Sequence, residues 1–212
     1  MITAHSGSDG YSDNSLEFIQ AVLDSDVDAF EIDCQLSDEG VLYLSHDPLV
    51  DIEGVLRLDD VFRLMNDSDN DSIILNVDCK DGRIGPLAVE LASQHQILDR
   101  IVLSGSIVIS DYDASFRQQL FYNLENSLEY QEDIEEAILA QTLRSVFDSG
   151  VRYIQLNYQW VTGELLELIH QHGLKLSVWT VNDLKLMDLL LKRGVFNVTS
   201  RRALEYINQY SS

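Results

Sequence analysis

The feature that most constrains this sequence is a repeated alternation of short apolar runs with longer amphipathic stretches. The apolar runs, often β-branched, predict strands at 1–5, 28–33, 72–78, 100–104, 118–123, 151–156, 174–179 and 195–199. The amphipathic stretches have helical periodicity and predict helices at 14–25, 85–97, 133–148, 163–172, 183–193 and 201–209. Strands that alternate with helices across short loops are typical of a parallel sheet covered by helices.

Residues that start and stop helices fall at the boundaries of these segments. Thr162 and Asn182-Asp183 indicate helix starts, and Gly150, Gly173 and Gly194 indicate helix ends. Eight strands in 212 residues predict a single-domain α/β fold, a small (β/α)8 TIM barrel spanning 1–212. An open doubly wound sheet would also explain the alternation, but no Gly-rich phosphate loop follows the first strand.

One segment interrupts the alternation directly after the second strand. Residues 34–46 continue as extended chain with a turn at Glu39-Gly40, which predicts a β-hairpin and not a helix. If the hairpin is centred on that turn, Asp33 lies opposite His46. We therefore expect 41–46 to form a hairpin strand above the barrel, with His46 returning to the end of the second strand.

Charge and composition narrow the range of partners. The chain has 14 Lys and Arg against 36 Asp and Glu, a formal net charge of −22. Such a chain is poorly suited to bind nucleic acid or an anionic membrane through its overall charge. No apolar run reaches the length of a membrane span, and Cys34 and Cys79 form neither a disulfide framework nor a metal motif. We expect a reduced, cytoplasmic protein, with export by a signal outside this sequence as the alternative.

Polar residues cluster where the predicted strands end, which is where barrels of this type bind ligands. Strand alternation places Glu31 and Asp33 on one face of the second strand, and Asp78 and Lys80 on one face of the third. Three carboxylates meeting at the barrel mouth would form an oxygen-rich site for one divalent cation, Mg2+ or Ca2+. Lys80 would lie beside that cation and hold an anionic substrate oxygen.

Two histidines, His5 and His46, are predicted at the same mouth. Cleavage of a phosphodiester needs a base for the attacking oxygen and an acid for the departing one. It also needs positive charge near the phosphoryl oxygens, which a bound cation supplies. These residues therefore predict an acid-base pair beside a metal site that acts on a small-molecule phosphodiester.

The motifs resemble those of the glycerophosphodiester phosphodiesterase family. The opening pattern of that family is matched by His5-Ser6-Gly7 and Asp13-Asn14-Ser15, its metal motif by Glu31-Ile32-Asp33, its hairpin turn by 37–40 and its second histidine motif by His46-Asp47-Pro48. Segments 75–80 and 177–182 resemble its third-ligand strand and the late strand whose tryptophan, here Trp179, lines the substrate pocket. The resemblance implies a TIM barrel and metal-dependent hydrolysis of a glycerophosphodiester to glycerol 3-phosphate and an alcohol.

The sequence departs from the family pattern in four places. Ser6 replaces an arginine that would contact phosphate, and Asp78 replaces the usual glutamate, as in the related sphingomyelinase D-type phospholipases. Thr199-Ser200 replaces the usual Thr-Asp, and only 31 residues separate His46 from Asp78, which leaves no room for the family's cap insertion. This is the pattern of a short family form without the cap.

The departures leave two other functions open. A phosphodiesterase without a cap could act on a lysophospholipid or another phosphodiester, and a degenerate barrel could bind metal or phosphate without turnover. Individual residues also have structural alternatives. His5 and His46 could be structural histidines, Lys80 a plain ion-pair partner of Asp78, and Trp179 ordinary core.

Overall fold

The computed structural model describes residues 1–128 and 136–210. The strands are β1 (Ile2–Ala4), β2 (Ala29–Leu36), β3 (Leu42–Leu44), β4 (Ile74–Cys79), β5 (Ile101–Gly105), β6 (Phe121–Asn123), β7 (Tyr153–Asn157), β8 (Lys175–Trp179) and β9 (Asn197–Ser200). The α-helices are α1 (Leu16–Leu23), α2 (Leu58–Asp67), α3 (Ile84–Gln94), α4 (Glu136–Asp148), α5 (Gly163–Gln171), α6 (Leu184–Lys192) and α7 (Ala203–Tyr210).

Eight of these strands form one parallel barrel. Their order is β5-β4-β2-β1-β9-β8-β7-β6, and β3 pairs with β2 outside that path. The two ends of the order meet through a parallel bridge between Leu103 of β5 and Leu120, which precedes β6. The predicted single-domain α/β barrel is therefore confirmed.

Side-chain caps begin several helices where the sequence predicts them. Ser15 accepts a hydrogen bond from the Phe18 amide at the start of α1. Thr162 caps α5 through the Leu165 amide, and Asp183 caps α6 through two amides. The first residues of the predicted helix 133–148 lie outside the described residues, and α4 is described from Glu136 onward.

The prediction misses one helix. The sequence between His46 and Asp78 contains α2, whose residues Leu58, Val61, Phe62 and Met65 are all fully buried. Their i, i+3, i+4, i+7 spacing is that of one helix face. Residues 106–120, between β5 and β6, form no α-helix. They contain short 3-10 turns at Ile109–Asp111 and Phe116–Gln119.

The hairpin after β2 is present, but its predicted register is wrong by one residue. Cys34 pairs with Leu44, and the Ser45 amide donates to the Asp33 carbonyl at 3.2 Å, so Ser45 and not His46 lies opposite Asp33. The reason is the length of the turn. Ser37 pairs with Val41 and leaves a three-residue loop that ends at Gly40, which has a φ of 82°, instead of a symmetric two-residue turn.

The core is an apolar layer between the barrel and its helices, and polar side chains line part of the barrel interior. Ile32, Cys34 and Cys79 lie in the apolar layer, as strand alternation predicts. Inside the barrel, Thr3 donates to Asn197, and Asn197 donates to Ser177, at 2.9 Å each. Within 1–128 and 136–210, no helix is both long and apolar enough to cross a membrane.

Candidate active site

Three carboxylates meet at one side of the barrel mouth. Glu31 and Asp33 are on β2, and Asp78 is on β4, where its Cα is the direct register partner of Asp33. One oxygen from each of the three lies within 4.8 Å of the others. Glu31 and Asp33 are only 6% and 3% exposed. The predicted carboxylates are therefore brought together, and the β2–β4 pairing does it.

Lys80 lies directly against this group of carboxylates. Its Nζ is 2.6 Å from an oxygen of Asp33 and 2.6 Å from an oxygen of Asp78. Burial by itself would lower the pKa of the Lys80 ammonium, but the charge of Asp78 and hydrogen bonds to Asp33 and Asp78 outweigh it and raise that pKa above its ordinary value. Lys80 is thus held charged as the local counter-ion of two carboxylates.

Polar side chains fix the orientation of both aspartates. Asn14 donates to an Asp33 carboxylate oxygen and accepts from the Asp33 amide, both at 2.9 Å. Ser104, at the end of β5, donates to Asp78 at 2.9 Å. These bonds hold the carboxylates in place before any ligand binds, which reduces the ordering that binding requires.

Glu31 is the most perturbed acid of the site. Burial raises its pKa to about 8, and the negative charges of Asp78 and Asp33 add to the effect. The amide of Ser6 donates to Glu31 at 3.2 Å and partly offsets it. Without a further cation, Glu31 therefore holds a proton near neutral pH.

The donor set fits a hard divalent cation. Three carboxylates, two of them buried, supply the oxygen ligands that Mg2+ and Ca2+ prefer. The proton held by Glu31 is itself a sign of uncompensated negative charge, because a cation would stabilise its ionised form. Glu31, Asp33 and Asp78 would hold the cation, in competition with the ammonium of Lys80.

His5 lies beside Glu31 at the end of β1. Its Nδ1 is 3.0 Å from the Ser6 carbonyl oxygen and 3.5 Å from Glu31. Because a carbonyl only accepts, this bond places the proton on Nδ1 and leaves Nε2 as the acceptor of the neutral ring. Burial lowers the pKa of His5 below its ordinary value, and the Arg201 charge adds to the effect, although the Ser6 bond opposes it. The site therefore favours the neutral form of His5, with the lone pair on Nε2.

His46 is placed differently from the sequence expectation. Its side chain is 70% exposed, and Nδ1 is 3.0 Å from Asp47. Among the described residues, its direct polar partner is thus Asp47 and not a carboxylate of the predicted metal site. With Asp13 and Asn14 it lines an open cavity of about 540 Å3 beside the mouth.

Trp179 ends β8 and is the Cα partner of Asn157 at the end of β7. Its indole Nε1 is buried and finds no hydrogen-bond partner among residues 1–128 and 136–210. A buried indole donor normally has a partner. Its role in lining a substrate pocket stays a prediction.

Arg201 is a cation at the mouth that is not among the predicted site residues. Its guanidinium bonds both carboxylate oxygens of Asp13, at 2.7 and 3.1 Å. Helical periodicity predicts a helix over 201–209, so Arg201 resembles an ordinary polar residue of that helix. The available signal was position, since Arg201 directly follows the last barrel strand and so lies at the ligand-binding end.

No protein-family model matches the sequence, and no curated protein matches it. Solved structures share its fold. A putative glycerophosphodiester phosphodiesterase from Galdieria sulphuraria has a TM-score of 0.77 at 13% identity, covering 100% of this chain and 97% of that one. A phosphodiesterase from Oleispira antarctica, solved in complex with the product sn-glycerol-3-phosphate, has a TM-score of 0.77 at 17% identity, with the same coverage. A putative glycerophosphoryl diester phosphodiesterase from Agrobacterium tumefaciens has 0.76 at 15%, covering 99% and 96%. The fold of this chain is that of the glycerophosphodiester phosphodiesterases, as the motifs in its sequence predicted.

Proposed function

We propose that this protein is a metal-dependent phosphodiesterase that hydrolyses a glycerophosphodiester to glycerol 3-phosphate and an alcohol. The observation that carries the proposal is the convergence of Glu31, Asp33 and Asp78 within 4.8 Å, beside Lys80 and His5, at the barrel mouth. The shared fold supports it, and so does the product bound to the Oleispira antarctica phosphodiesterase.

His5 is the proposed general base. The site keeps its ring neutral, with the proton on Nδ1 bonded to Ser6, so Nε2 has a lone pair to accept a proton. That proton comes from the attacking oxygen. Attack by a water molecule gives glycerol 3-phosphate directly, whereas attack by the glycerol hydroxyl gives a cyclic phosphate that a water molecule then opens, with the two histidines in exchanged roles. Glu31, 3.5 Å from Nδ1, stabilises the imidazolium that then forms.

His46 is the proposed general acid. As the oxygen–phosphorus bond to the alcohol breaks, the alcohol oxygen takes a proton from His46, whose ring is held by Asp47 at 3.0 Å. Lys80 would move from the aspartates to a phosphoryl oxygen. A divalent cation bound by Glu31, Asp33 and Asp78 would supply Lewis-acid charge at the phosphoryl group.

The test is hydrolysis of glycerophosphocholine by chelator-treated protein, with Mg2+ or Ca2+ added back. We expect glycerol 3-phosphate to be released only with metal. His5→Ala and His46→Ala should each lower kcat/KM by about 100-fold or more, the usual range for a lost acid or base. The matched control is His170→Ala, on the outer helix α5, which should keep full activity.

Other results would select the alternatives. Choline phosphate as the product, or turnover of lysophosphatidylcholine alone, would replace the glycerophosphodiester with another substrate. Metal binding without hydrolysis of any of these diesters would indicate a binding protein. Full activity of the His5 variant would remove His5 from the mechanism.

A further inference from the structure

We propose that Arg201 binds a phosphoryl oxygen of the substrate. It supplies the positive charge that Ser6, which stands where the resembled family has an arginine, does not carry. This inference rests on the proposed function, because it names a further substrate-binding residue for that reaction. It assigns the role to a side chain from the opposite end of the chain.

The backbone places Arg201 next to the general base. Ser200, the last residue of β9, accepts a hydrogen bond from the His5 amide at 2.9 Å. Arg201 is the next residue, so its side chain starts beside the end of β1. Its own amide is held by Asn182 at 2.9 Å, which fixes the starting point.

Asp13 holds the guanidinium over the segment that follows His5. A Cβ built on Gly7 would lie 2.0 Å from the Asp13 carboxylate, so this carboxylate packs directly on the Gly7 backbone. Since Asp13 binds Arg201 with both oxygens, the ion pair lies across this segment. The absence of a side chain at position 7 is what makes room for it.

The Ser6 side chain lies beneath this ion pair and cannot bind a substrate. Its side chain is fully buried, and its Oγ accepts a hydrogen bond from the Asn14 amide at 2.7 Å. Ser6 is thus used to fix Asn14, which in turn holds Asp33. Ser6 therefore supplies no charge to this part of the mouth, whereas the Arg201 guanidinium is held there by Asp13.

The electrostatics agree with this placement. Besides Asp13, the charges of Glu31 and Asp33 raise the pKa of the Arg201 guanidinium, and the charge of Arg201 lowers the pKa of His5. The guanidinium is therefore close enough to act on both the base and the candidate metal ligands.

The chemistry of the group suits the role. A guanidinium has five N–H donors in a planar fork, and the Asp13 bonds use two of them. Asp13 can hold one edge while another edge donates to a phosphoryl oxygen. The neighbouring Arg202 differs, because it faces Glu205 with two bonds of 2.6 and 2.7 Å and donates to the Asn182 carbonyl.

The experiment measures equilibrium binding of glycerol 3-phosphate and of inorganic phosphate by calorimetry, with and without Mg2+ or Ca2+. Arg201→Ala should weaken binding of both anions about 10- to 100-fold, the range of one charge-assisted bond, and Arg201→Lys by less. Arg202→Ala, which removes the same charge one residue away, should stay within about twofold of wild type because that side chain faces Glu205.

Asp13→Asn separates ligand binding from a structural role. It breaks the same ion pair but frees the guanidinium, so we expect anion binding at least as tight as in the wild type. Thermal unfolding of both variants checks that they remain folded. If Arg201→Ala and Asp13→Asn weaken anion binding equally, or if Arg201→Ala leaves it unchanged, Arg201 is only the partner of Asp13 and the proposal is wrong.

The two proposals fail in different ways. Binding of anions that depends on Arg201, without hydrolysis of any diester, would overturn the proposed function and leave the role of Arg201 standing. Hydrolysis with normal anion binding in Arg201→Ala would do the reverse. A wild-type protein that binds neither anion would overturn the Arg201 proposal.

Discussion

Glu31 combines burial with two neighbouring carboxylates, so its protonation depends on whether a cation is present. Its pKa of about 8 means that at pH 7 the metal-free protein holds a proton there. Metal binding needs the carboxylate, and that proton must leave. We expect metal binding at pH 7 to release a proton from Glu31, measured by calorimetry in buffers of different ionisation enthalpy.

Glu31→Gln is the control for this proton. The amide has no proton to release, so proton release should disappear and metal affinity should fall.

The stability of the metal-free protein should depend on pH because of the same Glu31 proton. A carboxyl whose folded pKa is raised contributes stability below its unfolded pKa, near 4.5, which is lost as the pH rises through about 8. Over that range the wild type should lose stability relative to Glu31→Gln; parallel curves would contradict the assignment.

Lys80 and a divalent cation compete for the same aspartates. Because Nζ contacts Asp33 and Asp78 at 2.6 Å, Lys80→Met removes both a competitor and a repelling charge. We expect metal affinity to rise by about tenfold or more, equivalent to ~1.4 kcal/mol. Turnover should fall because the phosphoryl contact is lost. Calorimetry and kinetics on one preparation measure both effects, and weaker metal binding would contradict the competition.

At the residue scale, the sequence reveals the side chains that sit in motifs. Glu31, Asp33, Asp78, Lys80 and His5 follow from strand ends and alternation, because both are local properties of the chain. Arg201 also follows a strand end, but the placement of its side chain depends on a contact with Asp13 made 188 residues away. The exposure of His46 is likewise set by the hairpin register.

Gly105, the last residue of β5, allows β5 to pack closely against β4, the strand that carries Asp78. It ends β5 with a φ of 81°, and a Cβ there would lie 2.4 Å from the Cys79 carbonyl oxygen and 2.8 Å from an Asp78 carboxylate oxygen. Gly105→Ala should therefore push β4 and β5 apart and move Asp78. We expect a loss of about 3 kcal/mol or more in stability, in the range of severe backbone and packing defects, together with weaker metal binding.

Gly40 provides a matched control for that substitution. It has nearly the same φ, 82°, but a Cβ there meets nothing within 4 Å. Gly40→Ala should therefore cost only the left-handed strain, about 1–2 kcal/mol, and leave metal affinity unchanged. Denaturant unfolding and metal calorimetry separate the two. Equal effects of the two substitutions would mean that the Cβ contact at Gly105 does not matter.

At the element scale, periodicity predicts most of the barrel but not its irregular parts. Helix α2 is absent from the predicted helices although its apolar spacing is regular, because acidic residues interrupt the apolar run within it. The hairpin register was wrong by one residue because an odd loop length is not visible in an alternating pattern. Turn geometry decides both the register and the position of His46.

The whole barrel divides into a well-paired side and a weakly joined side. β2 and β4 share a six-residue register from Ala29↔Ile74 to Cys34↔Cys79, and they carry all three candidate metal ligands. β5 and β6 meet at the single bridge Leu103↔Leu120, and 3-10 turns join them in place of a crossover α-helix. We name this junction the β5–β6 seam.

Hydrogen exchange should detect this difference in the folded protein. Amides in 106–123, beyond the ladder that joins β5 to β4, should exchange through partial openings of lower free energy than amides of β2 and β4, which should need global unfolding. Mass spectrometry of the exchanging protein, over a range of low denaturant concentrations, separates the two classes. Uniform protection of both sides would contradict the division, since it would mean that the bridge holds as well as a full ladder.

Metal binding should increase the difference in hydrogen-exchange protection between strands β2 and β4 and the β5–β6 seam. A cation held by β2 and β4 stabilises the folded state as a whole, so it slows exchange that requires global unfolding. It has no such effect on a partial opening that leaves β2 and β4 paired. Protection of the β2 and β4 amides should therefore rise with metal concentration while exchange at the β5–β6 seam changes little. If the seam gained protection equally, its opening would have to include the loss of the metal site, and Ser104, which links β5 to Asp78, would be the connecting residue.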